Sequence, residues 1–413
     1  MTKSEFLKLA ESQWEELSNL QEEESFYEYE KQFDELWVEF GRKTLERSIS
    51  NPVKDRRKKK RFESRYGLIE IAKNHIWSEP LNGFQISPYL QELQVYGGQM
   101  DNYSASVGYI EKYLRVKVNS SQMERVTKCY GSQIGAEMES VNEVQLKASE
   151  ELSSDLQTTG NAYCMVDGSM ILSREGEKAN DWKEVKLGRL FTDADHHSID
   201  KHHNWLKKSI YLAHLGDCKT FQDKFEPMID PLDVLNERLV FVADGASWIW
   251  NWVEECYGNA TQILDFYHAM EHLSDFSKIY FTCKESQKQW LDSKKTSLVN
   301  DQISEVIKEI QSLPCSSKKK KEKRKALVTY LQNNEERMLY KTFIDRGLFI
   351  GSGAIESAHR TVIQKRLKQS GQRWTIDGAQ KVIDLRVVNA SQQWDRVVNI
   401  IKENEKITFK SAA

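Results

Sequence analysis

The chain has 413 residues, of which 39% are hydrophobic and 29% charged, and it has a net charge of −3. This length allows two or three domains of about 100–200 residues each. Six prolines and 20 glycines exclude a collagen-like or low-complexity chain. No apolar run approaches the ~18 residues of a membrane span, and the first residues lack the apolar core of a secretory signal. The six cysteines include no Cys-x-x-Cys pair, so we exclude a cysteine zinc ribbon and expect a reduced, cytoplasmic protein.

Charge is strongly segregated along the chain. Residues 1–40 contain 12 acids and 3 bases, a net charge of −9. Residues 54–65 contain 8 bases and 2 acids, and residues 318–325 contain 7 bases and 1 acid, so each has a net charge of +6. Such basic blocks could neutralise phosphates, and a solvated helix face explains them equally well.

The N-terminal part of the chain is predicted to be all-α. Residues 1–65 are interpreted as an acidic helical segment followed by a basic linker, because apolar residues recur at helical spacing only up to about residue 40. Residues 66–155 are predicted to be helical. Within them, helices over 104–114 and 120–129, with Ser120 or Ser121 as the N-cap of the second, are typical of a helix-turn-helix DNA reader or of an ordinary helical hairpin.

The pattern changes at residue 156, where the core is predicted to begin. Short apolar runs alternate with helical segments up to residue 270, which predicts an α/β fold with a mixed sheet covered by helices. Residues 271–345 have no strand signal and are predicted to be helical. Residues 346–413 are predicted to return a helix to the core, with Ser352 as its N-cap, and to end in a basic segment.

Three acids, Asp167, Asp244 and Asp265, each follow an apolar strand run directly. Ligands of open α/β sheets bind at the carboxyl ends of strands, and several carboxylates converging there favour Mg²⁺ or Mn²⁺. The alternative is that these are turn residues. Glu356, in the first turn of the helix after Gly351-Ser352-Gly353, is the fourth candidate.

Four segments carry a specific resemblance: YCMVDGS, FVADGASWIWNWVEECY, ILDFYHAMEHL and GSGAIESAHRTVIQKRLKQSGQRW. In this order they resemble DDE transposases of bacterial insertion sequences, most closely the ISKra type, over roughly residues 85–390. The resemblance implies an RNase H-like mixed-sheet core with an α-helical insertion at 271–345. It also implies a catalytic, metal-binding triad of Asp167, Asp244 and Glu356, with Asp265 and His268 in support.

The function implied is metal-dependent DNA cleavage and strand transfer at the ends of an insertion sequence, by two-metal phosphoryl transfer with Mg²⁺ or Mn²⁺. The expected partners are double-stranded DNA, as element ends and target, and further copies of the chain assembled on it. No membrane is expected to take part, and the expected location is the bacterial cytoplasm. Residues predicted to contact DNA are Arg360, Lys365, Arg366, Lys368, Arg373 and Trp374, where Trp374 would stack on a base or pack under the helix end.

Two other functions remain open at this point. A catalytically idle, transposase-derived DNA-binding protein would be expected to have lost some of the acids, and all three are present. A zinc metallopeptidase would use His268-x-x-Glu271-His272, whose histidines are four residues apart and therefore on one helix face.

Overall fold

The computed structural model describes residues 1–20, 25–49, 58–139, 160–175, 181–198 and 204–410, with side chains up to residue 408. The chain forms two compact units, one of residues 1–135 with 393–413 and one of residues 136–392. The sequence predicted that the N-terminal region ends at residue 155, whereas the first unit ends at residue 135. The last residues of the C-terminal segment belong to the first unit. Among the described residues, no helix is both long enough and apolar enough to cross a membrane.

The first unit is mainly helical. Its helices and strands, in chain order, are α1 (Lys3–Ser18), α2 (Phe26–Ile49), β1 (Lys59–Ser64), β2 (Gly67–Ala72), α3 (Pro88–Met100), α4 (Tyr103–Leu114), α5 (Ser120–Glu139, which continues past the unit boundary) and, from the C-terminus, a helix over Asp395–Lys410.

The prediction that this region is all-α is wrong, because β1 and β2 form an antiparallel hairpin. In β1, buried and more exposed positions alternate from Arg61 to Ser64, and Phe62 is buried with Ile69 and Ile71 of β2. The many lysines and arginines of this segment made the alternation hard to recognise in the sequence. Lys59 and Lys60 form salt bridges with glutamates at 2.9 and 2.8 Å. Residues 58–65 of the predicted basic linker are thus largely a paired strand, while residues 54–57 lie outside the described residues.

Helices α4 and α5 are joined by residues 115–119, as the sequence predicted. The left-handed backbone of Arg115 (φ 56°) ends α4. The N-cap of α5 is Asn119, because its Oδ1 accepts hydrogen bonds from the backbone N–H of Ser121 (2.8 Å) and Gln122 (3.3 Å). The expected caps, Ser120 and Ser121, therefore lie inside the helix; whether the pair reads DNA stays a prediction.

The second unit is built on a five-stranded sheet. Its strands are β3 (Ala162–Ser173), β4 (Asp181–Thr192), β7 (Ile210–Leu215), β8 (Leu239–Ala243) and β9 (Thr261–Leu264), with a small hairpin of β5 (His196–Ser198) and β6 (Asn204–Leu206) between β4 and β7. The helices are α6 (Cys218–Asp233), α7 (Ser247–Cys256), α8 (Phe266–Tyr280), α9 (Lys284–Val299), α10 (Ile303–Ser312), α11 (Lys318–Asn333), α12 (Tyr340–Asp345), α13 (Gly353–Ala358), α14 (Lys365–Leu367) and α15 (Ile376–Ala390); a π-helical segment, His359–Gln364, joins α13 to α14. The C-terminal helix of the first unit is α16.

The order of the strands in the sheet is β7-β4-β3-β8-β9. Strands β7, β4 and β3 are antiparallel neighbours, whereas β8 runs parallel to both β3 and β9. All five residues of β8 are buried, as expected for the central parallel strand of a covered sheet. The fold is therefore α/β with a mixed sheet, as the sequence predicted.

Helices cover both faces of this sheet. A Cβ atom at Gly188 of β4 would clash with the ring of Phe225 on α6, so α6 packs tightly on one face. The next residue, Arg189, points to the other face and donates to the carbonyl oxygen of Ala354 in α13. Asp167 of β3 pairs with Leu187, two residues from Arg189, and so lies on the same face as α13. The helical stretch over 271–345 contributes no strand to the sheet.

Helix α15 satisfies the free backbone groups of the edge strand β7. The Gln380 carboxamide accepts from the N–H of Leu215 (2.7 Å) and donates to the carbonyl of Ala213 (3.1 Å). The Ser391 hydroxyl accepts from the N–H of Tyr211 (3.0 Å). These side chains replace the neighbouring strand that the edge lacks, and they anchor the C-terminal part of the core to the sheet.

Gln380→Ala should lower the free energy of unfolding by about 1–3 kcal/mol, because it leaves a buried donor and acceptor of β7 unpaired. Urea unfolding measures this change. Gln332→Ala is the matched control, since Gln332 is an exposed glutamine of α11. Equal stability of the two variants would show that the edge of β7 does not depend on Gln380.

Candidate active site

The strand register places three carboxylates in one row at the sheet edge. Val166 of β3 pairs with Ala243 of β8, and Ala243 pairs with Leu264 of β9. The residues that follow them are Asp167, Asp244 and Asp265, which therefore lie side by side across three neighbouring parallel strands. Asp244 and Asp265 end their strands as predicted, but β3 continues to Ser173 along β4, so Asp167 lies inside its strand.

Asp167 is in an unfavourable electrostatic environment. Burial and the charges of Asp244 and Glu356 together raise the pKa of its carboxyl to about 6, although the backbone N–H of Gly168, which donates to it at 2.7 Å, acts in the opposite direction. Asp167 is thus close enough to the other two members of the predicted triad for their charges to act on it.

His359 is a neighbour of Asp167 that the sequence analysis missed. Its Nε2 lies 3.5 Å from Oδ2 of Asp167, and its side chain is almost fully buried. Burial lowers the pKa of His359 to about 4, so its ring is neutral at physiological pH. The sequence feature that could have identified His359 is its position three residues after Glu356, because on a helix this spacing places both side chains on one face.

Glu356 is connected to Asp265 through a serine. The hydroxyl of Ser352 donates a hydrogen bond to Oδ2 of Asp265 and lies 3.3 Å from Oε1 of Glu356. Asp265 is fully buried, and its other oxygen accepts from the N–H of Tyr267 at 2.8 Å. Ser352 is the N-cap residue of its helix, as predicted, but its hydroxyl is turned to these two carboxylates and makes no side-chain cap bond.

Asp244 is held by its own loop. Its Oδ1 accepts from the N–H of Ala246 at 2.9 Å, and its backbone carbonyl accepts from the indole N–H of Trp250 at 2.7 Å. Asp244 is only half-buried. This carboxylate, like those of Asp167 and Glu356, therefore keeps partial contact with solvent, from which a ligand could reach it.

Buried arginines support the helix that carries Glu356. The Arg386 guanidinium of α15 donates to the carbonyl oxygens of Thr361 and Val362 in the π-helical segment. A π-helical turn displaces carbonyls from the ordinary α-helical ladder, and Arg386 gives these two a partner. The arginine thus stabilises an irregular turn directly after the residues that face Asp167.

Two of the residues predicted to contact DNA are instead part of the core. The Arg366 guanidinium lies 4.9 Å from the ring of Trp374, and the exposed fractions of the two side chains are 1% and 8%. The Trp374 indole donates to the carbonyl of Leu367. Both predictions of DNA contact are therefore corrected, since neither side chain reaches a surface. The other predicted contacts are exposed, namely Arg360, Lys365, Lys368 and Arg373.

The His-x-x-Glu-His motif does not assemble a zinc site. Nδ1 of His268 lies 3.5 Å from Oε2 of Glu271, and its Nε2 lies 3.9 Å from Oδ2 of Asp265. The ring of His272 instead packs against Tyr330 at a centroid distance of 4.0 Å. His268 thus lies next to Asp265, where the sequence analysis expected a supporting histidine.

In the part of the chain that the structure describes, no three His, Cys, Asp or Glu side chains are close enough together to hold a metal ion. The donor chemistry of Asp167, Asp244 and Glu356 nevertheless suits Mg²⁺ or Mn²⁺, which prefer carboxylate oxygens. A divalent cation would also offset the repulsion that raises the pKa of Asp167.

No protein-family model matches this sequence, and a search of curated proteins finds no match.

Asp167→Asn should stabilise the metal-free protein at pH 8. The Asp167 carboxyl has an ordinary pKa of 3.8 and a folded-state pKa of about 6, so its cost to folding is absent below pH 3.8 and grows until about pH 6. We expect a gain of about 1–3 kcal/mol in the free energy of unfolding at pH 8 and close to none at pH 3.

Urea unfolding in EDTA at both pH values measures this difference. Asp292→Asn, at an exposed position of α9, is the control and should change neither value. A loss of stability in Asp167→Asn at pH 8 would contradict the prediction, because it would mean that the ionised carboxylate is favourably paired.

Proposed function

We propose that the chain is a DDE-type transposase, which cleaves DNA at the ends of an insertion sequence and joins them to a target. The observation that carries this proposal is the register row of Asp167 and Asp244, with Glu356 brought near them on α13. Two strand acids and one helix acid at a single sheet edge are suited to phosphoryl transfer.

The topology of the sheet supports an RNase H-like core. Three antiparallel strands are followed by two parallel ones, in the order β7-β4-β3-β8-β9, and the acids lie on the first and fourth strands in chain order. The helices α9, α10 and α11 follow the last strand and precede the helix that carries Glu356, which is where the resemblance implies an insertion.

Each residue of the site has a chemical task in this proposal. Asp167, Asp244 and Glu356 would hold Mg²⁺ or Mn²⁺, which supply the activation of water or a 3′-hydroxyl and the stabilisation of the leaving oxygen. Ser352, which is itself hydrogen-bonded to Asp265, would orient the carboxylate of Glu356. Neutral His359 cannot form an ion pair with Asp167, so it leaves that carboxylate its full charge.

DNA would be bound by cations next to the site. Lys368 is exposed, and its ammonium is within range of the negative charge of Asp167. Arg360, Lys365 and Arg373 are exposed on the same stretch of chain. These side chains are suited to contacts with the phosphate backbone, which position a duplex without reading its sequence.

The test is cleavage of the DNA that flanks the gene, in the presence of Mg²⁺ or Mn²⁺. We expect the wild-type protein to nick or join duplexes that carry the element ends. Asp244→Asn should lower the rate by more than about 100-fold, because the amide lacks the negative oxygen that a divalent cation requires.

A gel-shift titration of the same variants supplies the second measurement. Asp244→Asn should still bind the duplex, whereas Asp292→Asn, the exposed control, should both bind and cleave. Cleavage by Asp244→Asn at the wild-type rate would show that the reaction does not use this carboxylate. DNA binding without cleavage by the wild-type protein would favour the catalytically idle alternative.

A further inference from the structure

Helix α11 lies antiparallel to α8 and ends near the row of carboxylates. It packs beside α8 in the opposite direction: the ring of Tyr330, late in α11, contacts His272, while Lys320, early in α11, donates to the carbonyl of Tyr280 at the end of α8. Since α8 begins directly after Asp265, α11 runs from a distant point towards the row of carboxylates.

Tyr330 places an unpartnered hydroxyl at this row. Its oxygen is buried and has no hydrogen-bond partner among the described residues. A Cβ atom at Gly245 would overlap the phenol ring, so Tyr330 lies directly against the loop that follows Asp244. Its phenol also lies within range of the charges of Asp244 and Asp265, which raise its pKa in addition to burial.

The other end of α11 carries the basic run 318–325. Lys319 and Lys323 are exposed. They are four residues apart and Tyr330 is seven residues further, so all three lie on one face of the helix. The distance along the helix axis from Lys319 to Tyr330 is about 17 Å at ~1.5 Å per residue. Within the described residues, the one salt bridge of this run joins Lys318 to Glu322, 4.0 Å apart.

We propose that this face of α11 binds the backbone of the DNA duplex whose cleavage site lies at the carboxylates. Tyr330 donates to a phosphate oxygen near the reacting one, and Lys319 and Lys323 neutralise phosphates further along the same DNA. A run of cations that leads to an unpartnered donor matches a chain of regularly spaced anions. The inference rests on the proposed function and deepens it, because it assigns the helical insertion a role in holding the substrate.

The first test is the salt dependence of binding to a 30-base-pair duplex of arbitrary sequence, measured with Ca²⁺ in place of Mg²⁺. Removing two phosphate contacts should lower the slope of log affinity against log salt by about 1.8. We therefore expect this decrease for the double variant Lys319→Gln/Lys323→Gln. The matched control is Lys288→Gln/Lys295→Gln, which removes two exposed lysines from α9 of the same insertion and should retain the wild-type slope.

The second test compares Tyr330→Phe with Tyr340→Phe by thermal unfolding with and without the same duplex. Tyr340 also has a buried, unpartnered hydroxyl, and its pKa is raised by burial and by Tyr330 and Asp265. Tyr330→Phe should not lower the melting temperature of the free protein, but it should reduce the rise that DNA produces. Tyr340→Phe should leave that rise unchanged.

Two results would overturn the inference while leaving the proposed function intact. One is that the wild-type protein binds DNA and the Lys319→Gln/Lys323→Gln variant has the same slope of log affinity against log salt. The other is a wild-type DNA-induced rise in Tyr330→Phe, because the helix would then not lie against the strand at the carboxylates. A wild-type protein that binds no duplex at all would overturn both this inference and the proposed function.

Discussion

The site depends on gathering several carboxylates at one edge of a largely buried sheet. Parallel pairing of β3, β8 and β9 forces Asp167, Asp244 and Asp265 into one row, because register in a sheet is set by the buried strand residues before them. Such charges lose solvation and repel one another, as the raised pKa of Asp167 indicates. The surrounding structure offsets part of this cost with backbone N–H groups and the Ser352 hydroxyl, which donate to the carboxylates without adding charge.

The positive charges near the site fall into two groups with different physical tasks. Arg189, Arg366 and Arg386 are buried, and they stack on aromatic rings or donate to backbone carbonyls. They hold α13 and the π-helical segment against the sheet. The exposed cations, such as Arg360 and Lys368, keep their heads in solvent, where a phosphate could reach them. Arginine is suited to the first task because its planar group can stack and donate several hydrogen bonds at once.

The helical stretch after β9 is more than a spacer between the second and third acids of the proposed triad. It includes the end of α8, which begins at the carboxylate row, and α11, which returns to it, so its placement follows from the same strand ends that place the acids. The rings of Tyr330 and His272, one from each helix, pack against each other close to Asp244. A substrate at the carboxylates would therefore meet the helical stretch as well as the sheet.

Much of the fold was predictable from local patterns, because a buried strand such as Leu239–Ala243 shows its hydrophobicity in the sequence itself. The acids Asp167, Asp244, Asp265 and Glu356 stood out by their positions after strands or at a helix start. The β1–β2 hairpin was not predicted, because its alternation of buried and exposed residues lies among lysines and arginines. The ion pairs of these cations form only in the folded chain.

The sequence alone thus determined which residue types are present and how regular elements follow one another, since helix and strand periodicities are local. Only the tertiary structure decided which cations are buried, that the hydroxyl of the N-cap residue Ser352 bonds carboxylates and not the first turn of its helix, and that His359 and Tyr330 lie beside the acids. These properties depend on residues distant in sequence, such as Ser352 and Asp265, or Tyr330 and Gly245, being brought into contact. Desolvation and hydrogen bonding act between such neighbours in space, and a one-dimensional pattern does not contain them.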